Sequence, residues 1–196
     1  MTKVSNRLSR LSESATLAMA QMSRELQAKG VDVISLSLGE PDFDTPEFIK
    51  EAAQKAINDN FSHYTPVPGL PEVRSAIATK FKRDNDLEFK ADQIVISTGA
   101  KQSLANVCLC LLNAGDEVLL PCPYWVSYAE IIKLAEGIPV EVPSNISTDF
   151  KVTPKELEAA ITPKTKMLIF SSPCNPSGTV YTQSELEDIS KMLEKH

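Results

Sequence analysis

EVLLPCPYWVSYAEIIKLAEGIPVEV, residues 117–142, decides the fold. Residues 117–120 read as a short apolar strand, residues 125–135 as a helix, and residues 139–142 as a second strand. The same rhythm continues on both sides. Before it, residues 93–97 read as a strand and 102–112 as a helix; after it come a helix over 154–161, a strand over 166–171 and a helix over 183–194. Apolar strands separated by helices imply an α/β fold, with a mostly parallel sheet covered by helices on both faces.

Two helix starts are signposted by the residues themselves. Thr153-Pro-Lys-Glu156 and Thr182-Gln-Ser-Glu185 both match the capping box, in which the Thr hydroxyl and the Glu carboxylate each satisfy a free main-chain N–H. Val152 with Leu157, and Tyr181 with Leu186, stand where a hydrophobic staple belongs. Toward the N-terminus, residues 12–29 read as a helix stopped by Gly30, and residues 33–36 as a short strand. Residues 46–58 read as a helix with Asp44 or Thr45 as N-cap, and residues 71–83 as a helix with Val73, Ile77 and Phe81 on one face.

Composition narrows the function. Twenty Lys and Arg against 26 Asp and Glu give a net charge of −6, which disfavours a general nucleic-acid or anionic-membrane surface. The longest apolar stretch, residues 104–112, is far short of the roughly 20 residues of a membrane span. The first ten residues are polar and carry no signal-peptide core. Cys108, Cys110, Cys122 and Cys174 form no C-x-x-C pair, and only two histidines accompany them, so no metal site is expected. Reduced thiols in the cytoplasm are the expectation.

In a parallel sheet, ligands bind at the carboxyl ends of the strands. Five post-strand or loop segments therefore carry the candidates. Ser97-Thr98-Gly99-Ala100-Lys101-Gln102 is a small-residue turn into a helix, where unpaired N–H groups suit an anion and Lys101 adds a charge. It is neither a dinucleotide fingerprint nor a P-loop. Pro121-Cys122-Pro123-Tyr124-Trp125 places the only tryptophan after a strand, stiffened by two prolines. Ser172-Pro173-Cys174-Asn175-Pro176-Ser177-Gly178 holds one amide side chain between prolines, an uncharged hydrogen-bond donor. Ser37-Leu38-Gly39-Glu40-Pro41-Asp42-Phe43 and Tyr64-Thr65-Pro66-Val67-Pro68-Gly69 are loops that gain meaning from the other three.

Taken in order, these segments resemble the N-terminal half of a class I, fold-type I, pyridoxal-phosphate-dependent aminotransferase, of the bacterial aspartate aminotransferase type. The resemblance runs over all 196 residues, and P-x-N-P-[ST]-G at Pro173–Gly178 is its most specific motif. It implies that Gly99, Ala100 and Lys101 bind the phosphate of pyridoxal 5'-phosphate, that Trp125 stacks on the pyridine ring, and that Asn175 donates to the phenolic oxygen. Gly39, Trp125, Asn175 and Lys101 are implied substrate contacts: Gly39 through its main chain to the α-carboxylate, Lys101 to a distal carboxylate, with Ser14 and Thr16 nearby. Tyr64 is implied to reach a neighbouring subunit's cofactor phosphate, which makes the functional unit a homodimer. Cys122–Pro123 and Asn175–Pro176 are implied cis peptide bonds. The substrates implied are an amino acid, aspartate foremost, and a 2-oxo acid. A carbon–sulfur lyase or an aromatic-type aminotransferase shares the same cradle, and a non-enzymatic half-domain acting through a partner is the third reading.

The resemblance also implies a division of the chain into an N-terminal segment, residues 1–45, and the first part of the cofactor-binding large domain, residues 46–196. The rest of that domain and a small C-terminal domain lie beyond it. The family's Schiff-base lysine, the aspartate facing the pyridine nitrogen and the arginine clamping the α-carboxylate find no counterparts in these residues. Lys191, after Ser190, lies inside an amphipathic helix without the glycine and arginine that follow the family's lysine. No residue is therefore assigned as catalytic. The expectations are that these 196 residues alone have no transaminase activity and hold no lysine-linked cofactor, and that the sheet ends on an unpaired edge.

Overall fold

The computed structural model describes residues 4–196. In chain order its main elements are α1 (Ala15–Ala28), α2 (Glu47–Asn58), α3 (Pro71–Asn85), α4 (Ala100–Leu111), β1 (Glu117–Pro121), α5 (Ser127–Leu134), β2 (Ile138–Val142), α6 (Pro154–Ala160), β3 (Thr165–Leu168) and α7 (Gln183–Leu193). They fall into two compact units: Met19–Gly99, and Ala100–His196 with the N-terminal segment up to residue 18.

The second of these units holds a three-stranded sheet in the order β2-β1-β3, parallel throughout. β1 is central because its residues are apolar on both faces: Val118 and Leu120 are 0% exposed and Leu119 1%. Side chains alternate across a strand, so the three face different cores. Val118 and Leu120 pack with Cys108, Leu112, Tyr128, Ala129, Ile131 and Ile132, the cluster under α4 and α5. Leu119 packs with Val142, Val152, Leu157, Tyr181, Ile189 and Met192, the cluster under α6 and α7. The sheet is therefore covered on both faces, as the apolar strands predict.

The two capping boxes are formed. Glu156 N–H donates to Thr153 Oγ1 at 3.3 Å while Thr153 N–H donates to Glu156 Oε2 at 2.7 Å. Glu185 N–H donates to Thr182 Oγ1 at 3.3 Å and Thr182 N–H to Glu185 Oε2 at 2.6 Å. Val152 and Leu157, the first staple pair, are both buried in one cluster.

The N-terminal segment is tied to α5 and the turn after it by polar contacts. Ser12 N–H donates to Glu130 Oε2 at 2.8 Å, and Arg7 and Arg10 pair with Glu136 at 3.8 and 3.5 Å. In the Met19–Gly99 unit, Phe81 and Phe89 meet edge-on at 5.4 Å. Gly69 sits at φ +98, where a Cβ would lie 2.8 Å from Ile96, so glycine is required by both backbone and packing.

Three expectations need correction. Residues 33–36 form no strand; Ile34 and Leu36 are 84% and 90% exposed. Residues 93–97 form none either: Ala91–Gln93 is a 3-10 turn, and Val95 is 66% exposed. Both stretches have strand-forming side chains, but a strand is made by a ladder of hydrogen bonds to a neighbour; residues 93–97 make a single such bond, Ile96 N–H to the Pro68 carbonyl at 3.0 Å, and neither stretch builds a ladder among the described residues. α2 has no side-chain cap from Asp44 or Thr45, because Pro46 takes the N-cap position.

Candidate active site

The connection leaving β1 puts α5 on one face of the sheet, and the connection leaving β3 puts α7 on the other. Where neighbouring connections part to opposite faces, a crevice opens at the strands' carboxyl ends. The loop after β1 carries Trp125, and the loop after β3 carries Asn175. Trp125 precedes α5 rather than opening it, so its side chain is presented from a loop.

These two loops meet. The Cys174 thiol donates to the Pro123 carbonyl at 3.3 Å, across 51 residues of sequence. Each loop is also held internally. Cys122 N–H donates to the Val142 carbonyl at 2.9 Å, and the Ser144 hydroxyl donates to the Cys122 carbonyl. In the second loop, Cys174 N–H donates to the Thr179 carbonyl at 2.9 Å and Gly178 N–H to the Cys174 carbonyl at 2.8 Å. Asn175 N–H donates to Ser171 Oγ at 3.4 Å, and Tyr181 N–H to Ser172 Oγ at 3.0 Å. The Asn175 side chain is exposed at the tip of this braced loop. The Cys122–Pro123 and Asn175–Pro176 bonds are cis, and so is Ser172–Pro173.

The third contributor is the start of α4. Gly99 stands at φ +80 with nothing within 4 Å of where a Cβ would be, leaving open space before the helix. Ala100 and Lys101 begin the helix, and no acidic residue occupies its first turn. The positive end of the helix and the lysine charge therefore act in the same sense, and the site suits an anion. Lys101 Nζ lies 4.7 Å from the centre of the Trp125 ring, a cation–π contact worth about 0.5–1 kcal/mol when exposed. Trp125 is half-buried, and Tyr128 meets it edge-on at 5.5 Å and 89°.

Electrostatics keep Cys122 and Tyr124 protonated. Burial, then the charge of Glu141, pushes the Cys122 thiol up. Burial, then the hydrogen bond to Glu141, holds the Tyr124 phenol well above its ordinary value. Neither group is a nucleophile or a general base at neutral pH. Among the described residues no group of histidines, cysteines or carboxylates could hold a metal ion.

Of the sequence-derived candidates, Lys101 and Trp125 are brought into contact, Asn175 lies on the loop bonded to Trp125's, and Ala100 adjoins Lys101. Gly99 is the residue before α4. Gly39 and Tyr64 lie in the Met19–Gly99 unit, both exposed. Ser14 and Thr16 are half-buried at the start of the chain. Tyr124 and Cys174 lie inside candidate segments without an assigned role, and Glu141 outside them, because their partners are distant in sequence.

Comparison with known proteins bears on this arrangement. Residues 31–196 match the family model for "Aminotransferase class I and II". The chain is 48% identical over 196 residues to the probable aspartate/prephenate aminotransferase of Rickettsia bellii, and 49% identical to the aspartate/prephenate aminotransferase of Cereibacter sphaeroides. All of this chain and 49% of each relative are covered, so the chain spans about half the length of the curated relatives it matches. Among solved structures, it is similar to the aspartate aminotransferase of Thermus thermophilus with maleate, at a TM-score of 0.96 and 41% identity. That match covers 100% of this chain and 51% of the other. The aspartate aminotransferase of Rhizobium meliloti gives a TM-score of 0.95 at 40% identity, with 100% and 49% covered.

Proposed function

The chain belongs to the class I and II aminotransferases, and from that premise we propose that it supplies the cofactor cradle of a pyridoxal-phosphate-dependent transaminase of the aspartate/prephenate kind. The observation that carries the reading is the meeting of three elements: the anion-suited start of α4, the Trp125 ring, and the braced loop of Asn175.

The donor set fits the cofactor. Gly99, Ala100 and Lys101 bind its phosphate, where the open space beside Gly99 lets an anion reach main-chain N–H groups. Trp125 holds the ring plane. Asn175 donates to the phenolic oxygen through an amide that carries no charge and takes no proton. When bound, pyridoxal phosphate supplies the electron sink for amino transfer.

Gly39 offers main chain to the substrate α-carboxylate. Lys101 serves either the cofactor phosphate or a distal carboxylate of the substrate; the maleate named with the Thermus thermophilus structure supports the second role. The substrates are aspartate, or another amino acid, and a 2-oxo acid. The functional unit is a cytoplasmic homodimer in which Tyr64 reaches the neighbouring subunit's cofactor. Residues 1–45 form the substrate-side segment, and residues 46–196 the first part of the cofactor-binding domain. None of these residues is assigned the proton transfer, so the chain by itself binds cofactor reversibly and does not turn over.

Equilibrium dialysis of the 196-residue chain against pyridoxal 5'-phosphate and against pyridoxal tests this. Saturable, dialysable binding of the phosphate ester, with pyridoxal weaker by at least about tenfold, is expected; one such factor corresponds to about 1.4 kcal/mol. Equal binding of the two, or none, would remove the phosphate site from the account.

A further inference from the structure

We propose that Tyr124 and Glu141 form a positioning strut that sets the plane of Trp125, and that neither acts on substrate or cofactor directly. The relevance of that plane to cofactor binding rests on the function proposed above; the strut itself rests on the geometry of the loop.

The loop carrying Trp125 has little main-chain support. The last main-chain bond leaving β1 is Cys122 N–H to the Val142 carbonyl, and the next along the loop is Tyr128 N–H to the Trp125 carbonyl. Between them Pro123 has no N–H, and among the described residues the N–H groups of Tyr124, Trp125 and Val126 find no main-chain acceptor. Side chains must therefore hold the loop. The Ser144 hydroxyl reaches the Cys122 carbonyl, and the Cys174 thiol reaches the Pro123 carbonyl, both upstream of Trp125.

The side-chain hydrogen bond nearest to Trp125 in sequence is that of the Tyr124 hydroxyl, which donates to Glu141 Oε1 at 2.6 Å. Glu141 lies on β2, in register with Leu120 of β1, which is 0% exposed. The Glu141 side chain is itself exposed, but the strand that carries it is hydrogen-bonded to the buried β1. Its length also suits an ionised acceptor, since charge-assisted O–H···O bonds are short. Burial and Glu141 keep the phenol protonated, so it remains a donor across the working pH range. Glu141 is the only charged side chain in β2 and is exposed, so its carboxylate stays ionised while accepting from Tyr124.

Tyr124 and Trp125 both pack against the α4–α5 cluster, and Tyr128 abuts the indole edge. Tyr128 limits one direction of ring motion. Tyr124, bonded to Glu141, fixes the adjoining main chain and so limits the other.

Trp125 is the chain's single tryptophan, so its fluorescence reports the ring alone. In the cofactor-free chain, Tyr124→Phe and Glu141→Ala should each lower Trp125 anisotropy, and the double variant should lower it no further than either single one. Glu141→Gln, which keeps an acceptor oxygen, should restore most of the wild-type value. Pyridoxal 5'-phosphate affinity, read by Trp125 quenching, should fall about 5- to 10-fold in each single variant, again without addition in the pair.

Tyr181→Phe is the structural control. It removes a tyrosine hydroxyl whose hydrogen bond, accepted from Val152 N–H at 2.9 Å, is made just before α6 and not to the Trp125 loop. It should lower the melting temperature and leave the anisotropy unchanged. The strut is overturned if Tyr124→Phe behaves like Tyr181→Phe, or if the effects of Tyr124→Phe and Glu141→Ala add as independent losses. If the wild-type chain shows no cofactor-dependent quenching, the cofactor reading fails, and the anisotropy series still decides the strut.

Discussion

Lys101 has two claims on its charge, the face of Trp125 and an incoming anion. Its ammonium lies 4.7 Å from the indole centre. Lys101→Met keeps the length of the side chain and removes the charge. It should alter the Trp125 emission spectrum of the free chain and weaken pyridoxal 5'-phosphate binding by roughly tenfold, because helix-end N–H groups alone hold a phosphate less well than with a lysine beside them. Unchanged emission would show that the ammonium does not rest on the ring in solution. Gly99, Lys101, Trp125 and Asn175 were legible because each follows an expected strand or loop at the sheet's ligand end. Tyr124, Glu141 and Cys174 were not. Their partners lie 17 and 51 residues away, and hydrogen bonds across such distances are set by topology that no local pattern encodes.

At the scale of elements, the capping boxes make α6 and α7 begin where they do. Thr153→Ala should cost about 1 kcal/mol, read from urea unfolding, since it removes the acceptor for Glu156 N–H. Glu156 and Glu185 are held below the ordinary carboxylate range, by the Thr153 and Thr182 main-chain N–H groups first and, for Glu185, by Lys151 next. A depressed folded-state pKa gives stability that is present above the unfolded value and is lost as pH falls through the folded one. The urea midpoint should therefore drop between roughly pH 5 and pH 3, and less steeply in Glu185→Gln, which removes the titrating group. An equal slope in wild type and variant would remove the cap from the pH dependence. The caps were readable because every partner lies within three residues. Residues 33–36 and 93–97 misled for the opposite reason: their side chains suit a strand, but a strand depends on a neighbour supplied from elsewhere in the fold.

Over the whole molecule, the central strand joins both cores. Leu119 is fully enclosed on the α6–α7 face while Val118 and Leu120 seal the other. Leu119→Ala should cost about 2–5 kcal/mol in unfolding free energy. A loss below about 1 kcal/mol would mean that the face is not packed as described. β3 has a single sheet neighbour, β1, and beside it lies a cavity of about 720 Å³ lined by residues that include Ile161, Met167, Leu168, Phe170 and Leu193. The parallel, doubly covered sheet was legible from the alternation of apolar strands and amphipathic helices. Strand order was not, because placing β1 between β2 and β3 is a choice of topology made by packing.

The proposed function requires that pyridoxal phosphate stack on the face of Trp125, with its phosphate at the start of α4. The single indole N–H resonance of the 15N-labelled chain, followed as pyridoxal 5'-phosphate is added, tests this most directly. The account predicts one saturable shift of that peak, displaced to about tenfold higher ligand concentration by Lys101→Met. An indole peak that stays in place while the ligand is bound would contradict it.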